Sequence, residues 1–159
     1  MKARKLLSVI ITAIVLVIIG SANLTKVQAK YVGHNDTPTE LRGNWYQYEG
    51  NNKWTHVKIT KHAYIINGKT ICGSNKKGVK KLYVTQSQEQ GGKVYNFNKF
   101  KFHYQEVGVN WLSKRKIHGK RVMKSYYNMG YFQVYTRNKL KHKYNYEVNG
   151  SKYLKQLGK

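Results

Sequence analysis

The chain has 159 residues, 30 of them Lys or Arg against six Asp or Glu, a formal net charge of +24, and one cysteine. A lone Cys72 excludes an intrachain disulfide scaffold, and so few carboxylates leave little material for acid chemistry. Self-repulsion on this scale destabilises a compact state, so the charge points to a polyanionic partner, the plainer alternative being solubility alone.

The N-terminus carries Lys2, Arg4 and Lys5, followed by an apolar run from Leu6 to Gly20 and the small-residue stretch Val27-Gln28-Ala29. That order is expected of a secretory signal peptide cleaved after Ala29. The competing reading is an uncleaved membrane anchor, but spanning takes about 20 apolar residues and this run is shorter. The absence of a Cys after the run argues against a lipid anchor, and a wall-sorting tail is not evident. The expected layout is a signal peptide at 1–29, a short segment with one helical turn at 30–42, and a β-barrel-like domain at 43–159. Residues 30–159 keep 26 basic and all six acidic residues, a charge of +20. Their setting is expected to be extracellular, with retention at the wall by charge.

After residue 29 the only alanine is Ala63, whereas Tyr, Val, Ile, Thr, Phe and Trp abound. This is strand composition. Thr37-Pro38-Thr39-Glu40 has the form of a capping box with proline at the first helical position. The turn it starts directs Leu41 inward, Gly43 lets the chain pass closely, and Trp45 then plugs one end of the domain.

Turn chemistry punctuates the rest at 49–53, 67–69, 74–78, 90–93, 118–120, 136–139 and 149–151, where Asn-Gly and Gly-Gly supply the positive φ of tight hairpins. Between these points Val57 and Ile59 share a face opposite Lys58 and Thr60. Tyr95 and Phe97 alternate until the phase slips near Asn98 to Phe100, Phe102 and Tyr104, as at a β-bulge. Tyr144, Tyr146 and Val148 alternate again. Eight or nine short strands after the signal helix predict an all-β antiparallel meander or barrel.

The helical turn followed by Gly43-x-Trp45 resembles the start of lipocalin-like, calycin-type barrels. The chain is also similar to small secreted lipocalin-like proteins of lactic-acid bacteria that begin PTxLRGxWY. The resemblance implies a barrel, a small apolar ligand inside it, and a basic residue packed over the Trp, here Arg137 in VYTRN. The chain departs from the pattern in lacking an evident threonine-aspartate-tyrosine element and a disulfide. The alternative is that Trp45 is an ordinary core aromatic of another β-sandwich.

Catalytic patterns are absent from the sequence. The carboxylates fall mostly in turns or caps, and a glycosidase needs two of them about 5–10 Å apart on a cleft wall. His56 and His62 share strand parity but stand about 20 Å apart along an extended strand, too far for one ion. His34-Asn35-Asp36 offers ligands only in the N-terminal segment. Cys72, in KTICGSN, reads better as a small buried residue than as a nucleophile. No cofactor or metal is expected.

Binding is better supported. All 14 tyrosines follow the signal peptide, many flanked by Lys or Asn, and a tyrosine offers a flat apolar face with a polar tip. Such stripes also suit single-stranded nucleic acid, although export argues against that partner and half of each stripe reads as core. The expected function is a secreted, basic, non-enzymatic binding module held at the envelope by anionic wall or membrane polymers. Lys99, Lys101, Lys139, Lys141 and Lys143 are the expected contact residues. The alternatives are a cationic membrane-active or antagonistic protein and, behind it, a wall-acting enzyme.

N-terminal sequencing of protein recovered from culture medium should begin at Lys30. A chain that still starts at Met1 in the membrane fraction contradicts cleavage.

Overall fold

The computed structural model describes residues 35–99 and 107–159. The expected phase slip beyond Asn98 and the residue Lys101 lie outside them. Ten antiparallel strands form two sheets. The first, in the order β1-β2-β3-β4, comprises β1 (Gly43–Gly50), β2 (Lys53–Thr60), β3 (Ala63–Ile66) and β4 (Lys69–Gly73). The second, in the order β10-β9-β8-β7-β6-β5, comprises β5 (Leu82–Glu89), β6 (Gly92–Lys99), β7 (Val109–Ile117), β8 (Lys120–Tyr126), β9 (Tyr131–Tyr135) and β10 (Tyr146–Glu147). Among the described residues no helix is long and apolar enough to cross a membrane.

The turns explain why neighbours in sequence are neighbours in space. Asn51-Asn52, Asn67-Gly68 and His118-Gly119 all take positive φ and close two-residue loops between Gly50 and Lys53, Ile66 and Lys69, and Ile117 and Lys120. Positive φ at both central residues matches the twist of the flanking strands. The Lys61-His62 and 127–130 connections carried no comparable signal.

The sheets meet at single bridges, not along one closed ladder. Tyr46 and Thr136 exchange both backbone bonds, N to O, at 2.8 and 2.9 Å. Gly73 and Lys81 form one parallel bridge where β4 gives way to β5. The ladder stops after Thr136 because that residue turns the chain out of the sheet, its hydroxyl donating to Asn138 O at 2.7 Å.

Alternation sorts the apolar residues into two layers. Leu41, Trp45, Val57, Ile59, Tyr64, Leu82, Val84, Phe97, Met123 and Tyr135, from both sheets, form the inner core, which includes Cys72. Val94, Trp111 and Phe132 form a second cluster on the other face of the six-stranded sheet, packed by Tyr146, Val148, Tyr153 and Leu157 of the C-terminal segment. That segment is a 3-10 helix, Gly150–Gln156, where the sequence had suggested only a turn. The strand read at Tyr144–Val148 pairs only through Tyr146 and Glu147, opposite Phe132 and Tyr131.

At one end of the inner core the Trp45 indole donates to Leu41 O at 2.7 Å, and both side chains are fully buried. Arg137 Cζ lies 3.5 Å from the Trp45 ring centroid, and Nη1 donates to Arg42 O at 2.8 Å. A Cβ on Gly43, whose φ is +113°, would stand 2.5 Å from that Nη1, so only glycine admits the guanidinium.

The expected capping box is not formed. Residues Thr39–Leu41 make a 3-10 turn with Pro38 at the N-cap position, and no side chain caps it. The Thr37 hydroxyl instead donates to Thr60 O at 2.6 Å, while Arg42 Nη2 donates to Thr37 O at 2.7 Å. A long-range partner has outcompeted the local one.

Trp45→Ala should cost about 3–5 kcal/mol, most of a small domain's stability, and Trp45→Phe markedly less. Urea denaturation midpoints decide this, and an unchanged midpoint for the alanine variant contradicts the plug.

Candidate functional site

Moving along β1 away from the Trp45 plug, the interior changes from apolar to polar. Gln47 succeeds Trp45 on the inner face, opposite Thr55 of β2. Beyond them lies a cavity of about 360 Å³, lined by Thr55, by Tyr64 and Ile66 of β3, by Tyr131, Gln133 and Tyr135 of β9, and by Val107, Tyr127 and Asn128. This falls within the usual range for small-molecule sites, about 300–1,000 Å³.

The polar groups around it are mostly held in place. Tyr64 donates its hydroxyl to Asn110 Oδ1 at 3.3 Å, and Asn110 Nδ2 is tied to Gly108 O at 3.1 Å. Tyr135 donates to Gln133 Oε1 at 3.0 Å, and Thr55 Oγ1 donates to Glu49 Oε1 at 2.7 Å. Tyr131 accepts from Asn145 Nδ2 at 2.8 Å, which leaves its own O–H as a donor. Gln47 Oε1 is buried without a partner. An orphaned acceptor costs about 1–3 kcal/mol.

Among the described residues no lysine or arginine lines the cavity, although the chain carries a net charge of +24. Burial, and next the Glu49 charge, push the Tyr135 phenol above its ordinary range. Burial does the same to Tyr64, helped by Tyr135 and Cys72. Both phenols are therefore neutral donors at physiological pH, and the cavity offers contact and hydrogen bonds without a nucleophile.

A different surface carries the expected polyanion contacts. On the outer face of β1 and β2, Tyr46 stacks on His56 with centroids 4.9 Å apart, and Tyr48 tilts against Trp54 at 5.3 Å. Lys139 Nζ lies 5.6 Å from both the Tyr46 and Trp54 centroids, and Trp54 Nε1 donates to Leu140 O at 3.3 Å. Lys141 and Lys143 are exposed on the same loop. Lys99 ends β6 opposite Leu82, three strands removed from β9 in the sheet.

Among the described residues of the aromatic stripes that suggested base stacking, several are internal, while Tyr127 and Tyr131 are exposed. Tyr95 and Phe97 lie in the inner core, and Phe132 stacks on Tyr146 at 4.9 Å in the outer cluster. His56 Nε2 lies 2.9 Å from Asn44 Oδ1, and His62 Nδ1 lies 3.1 Å from Asp36. Among the described residues no group of three His, Cys, Asp or Glu is placed to hold a metal ion. The signal that could have found the cavity is Tyr131-x-Gln133-x-Tyr135, an amide standing at an inward position between two tyrosines. No protein-family profile, no curated protein and no solved structure matches the chain.

The raised phenols give a pH prediction. A tyrosine whose folded pKa exceeds its unfolded value, about 10, stabilises the fold below that pH and loses the contribution as pH rises through the folded value. Stability should therefore fall as pH climbs above about 10, and Tyr135→Phe should flatten the decline. Ultraviolet phenolate titration run beside circular dichroism tests it. Ionisation of every tyrosine near its ordinary pKa with the fold intact contradicts it.

Proposed function

We propose that the chain is a secreted, strongly basic, non-enzymatic binding module of lipocalin-like form. It is held at the cell envelope by anionic polymers and takes a small, mainly apolar ligand in its interior. The observation that carries this reading is the cavity of about 360 Å³, lined among the described residues by phenols, amides, a threonine and aliphatic groups. That wall offers a polyanion no counter-charge, so the cavity takes the ligand and the surface lysines take the polymer.

The barrel form is supported by the order of the strands. From β1 to β9 the chain winds as a meander and returns to its start, where Tyr46 meets Thr136 and Arg137 lies over Trp45. That basic residue over the first-strand Trp is what the resemblance implies. The ligand expected from the lining has a flat or branched apolar body and one hydrogen-bond acceptor for the Tyr131 hydroxyl. The lysines at 139, 141 and 143 are contact points for phosphate groups on the aromatic outer face of β1 and β2, together with Lys99 and Lys101 if polymer wraps further.

Two measurements test this. Binding of an environment-sensitive apolar fluorophore to residues 30–159 should be saturable and should be lost in Ile66→Trp, which fills the cavity. Attachment to purified walls should weaken linearly in log affinity against log salt, with a slope of about 0.7–0.9 per phosphate contact, and should fall when wall phosphopolymers are stripped. Fluorophore binding untouched by I66W removes the cavity, and attachment indifferent to both salt and stripping removes the electrostatic account.

A further inference from the structure

We propose that the mouth of the cavity is a docking surface for an anionic phospholipid bilayer, with the β8–β9 hairpin as its inserting tip. Among the described residues four large hydrophobic side chains are exposed, and three of them, Tyr127 at 44%, Met129 at 91% and Tyr131 at 39%, lie within this one connection. Isolated exposed apolar residues need no explanation, but a cluster at the rim of a cavity does. Tyr127 and Tyr131 also line that cavity.

The tip is held, not loose. Tyr131 N donates to Asn128 O at 3.1 Å and Val148 N donates to Gly130 O at 2.9 Å. Gly130, at φ +77°, packs so closely on the Val148 carbonyl that a side chain has no room. Met129 itself sits at φ +53°, a conformation that non-glycine residues seldom take. The fold thus fixes a flexible thioether pointing into solvent at the open end of the domain.

The surroundings decide the occupant. Lys69 pairs with Ile66, which lines the cavity, and Lys53 closes the β1–β2 hairpin two residues before Thr55. The Lys143 side chain lies against Gly50 of that hairpin. All three lysines are exposed, and the carboxylates nearby are Glu49, engaged by Thr55, and Glu147, opposite Tyr131. A methionine and two tyrosines on one hairpin are too small for a stable protein interface, which takes about 800 Å² from each partner. A bilayer asks only for shallow insertion, and tyrosines and lysines around an apolar tip suit the headgroup level. The overall positive charge steers the domain to anionic lipid. Docked in this way, the cavity opens onto the bilayer, so an apolar ligand passes between lipid and protein without crossing water.

This extends the binding-module reading, yet the two fail separately: docking is read on vesicles without ligand, and ligand binding without vesicles. The experiment is sedimentation of residues 30–159 with vesicles of phosphatidylcholine alone or mixed with phosphatidylglycerol. Binding is expected only to the anionic mixture, without release of entrapped dye. Met129→Asp should weaken it about tenfold. Lys53→Gln, Lys69→Gln and Lys143→Gln together should weaken it more than Lys114→Gln, Lys116→Gln and Lys152→Gln together, which remove the same charge elsewhere. In Met129→Trp, with Tyr127 and Tyr131 intact, brominated lipid should quench the new indole. Equal losses in the two lysine sets, wild-type binding by M129D, or an unquenched M129W indole each overturn docking at the rim. Dye release at the same concentrations overturns docking in favour of bilayer disruption.

Discussion

The contact on which the rest depends is the stacking of the Arg137 guanidinium on the Trp45 indole. Arg137 immediately follows Thr136, whose backbone makes the bridge to β1, so the stack fixes the last long strand against the first. It requires Gly43, because a Cβ there would occupy the guanidinium's place. It also requires the Arg42 carbonyl as acceptor, which the 3-10 turn after Pro38 presents. A planar cation over an indole is favourable by about 0.5–2 kcal/mol, more when desolvated, and lysine lacks the plane.

The six-stranded sheet is unusual in being covered on both faces. Met123 and Ser125 of β8 face inward, while Val122 and Lys124 face the C-terminal segment and are equally buried. Lys124 donates to the Tyr146 hydroxyl at 3.1 Å, and burial, followed by the Arg115 charge, pulls its pKa below the usual lysine range. The segment is anchored where Trp111 Nε1 and Ser113 Oγ both donate to the Lys159 backbone oxygen at 2.8 Å. Gly91 lies so close to Gly158 and Lys159 that no side chain fits between them. The outer cluster therefore works as a strap that stiffens β7 to β9, the last of which carries Tyr131, Gln133 and Tyr135 of the cavity wall.

Much of this was legible where a residue's environment is set by its near neighbours. The inward Val57 and Ile59, the hairpins at Asn67-Gly68 and His118-Gly119, and the inward Leu41 and Trp45 follow from alternation and turn chemistry. The capping box was misleading because Thr37 found an acceptor 23 residues away, which no local pattern reveals. The 3-10 segment Gly150–Gln156 was missed because it is held by a long-range contact, Tyr153 stacking on Tyr126 at 5.1 Å, and not by a local pattern. The cavity was least visible, since Thr55, Tyr64 and Gln133 come together only when β9 returns to β1. An inward amide between two tyrosines, Gln133, was the trace it left in the sequence.

The distribution of charge is the final constraint. In a chain this basic, repulsion falls least where lysines are spread over the surface and their heads stay hydrated, so an interior cavity must be lined by other residues. Tyrosine meets that need, being bulky enough to shape a wall and able to satisfy its own hydroxyl within it, as Tyr64 does with Asn110 and Tyr135 with Gln133. The buried Tyr64 and Tyr135 phenols, raised by burial, also stay neutral over the range in which surface lysines are charged, so added salt, which loosens a polyanion, leaves their protonation unchanged.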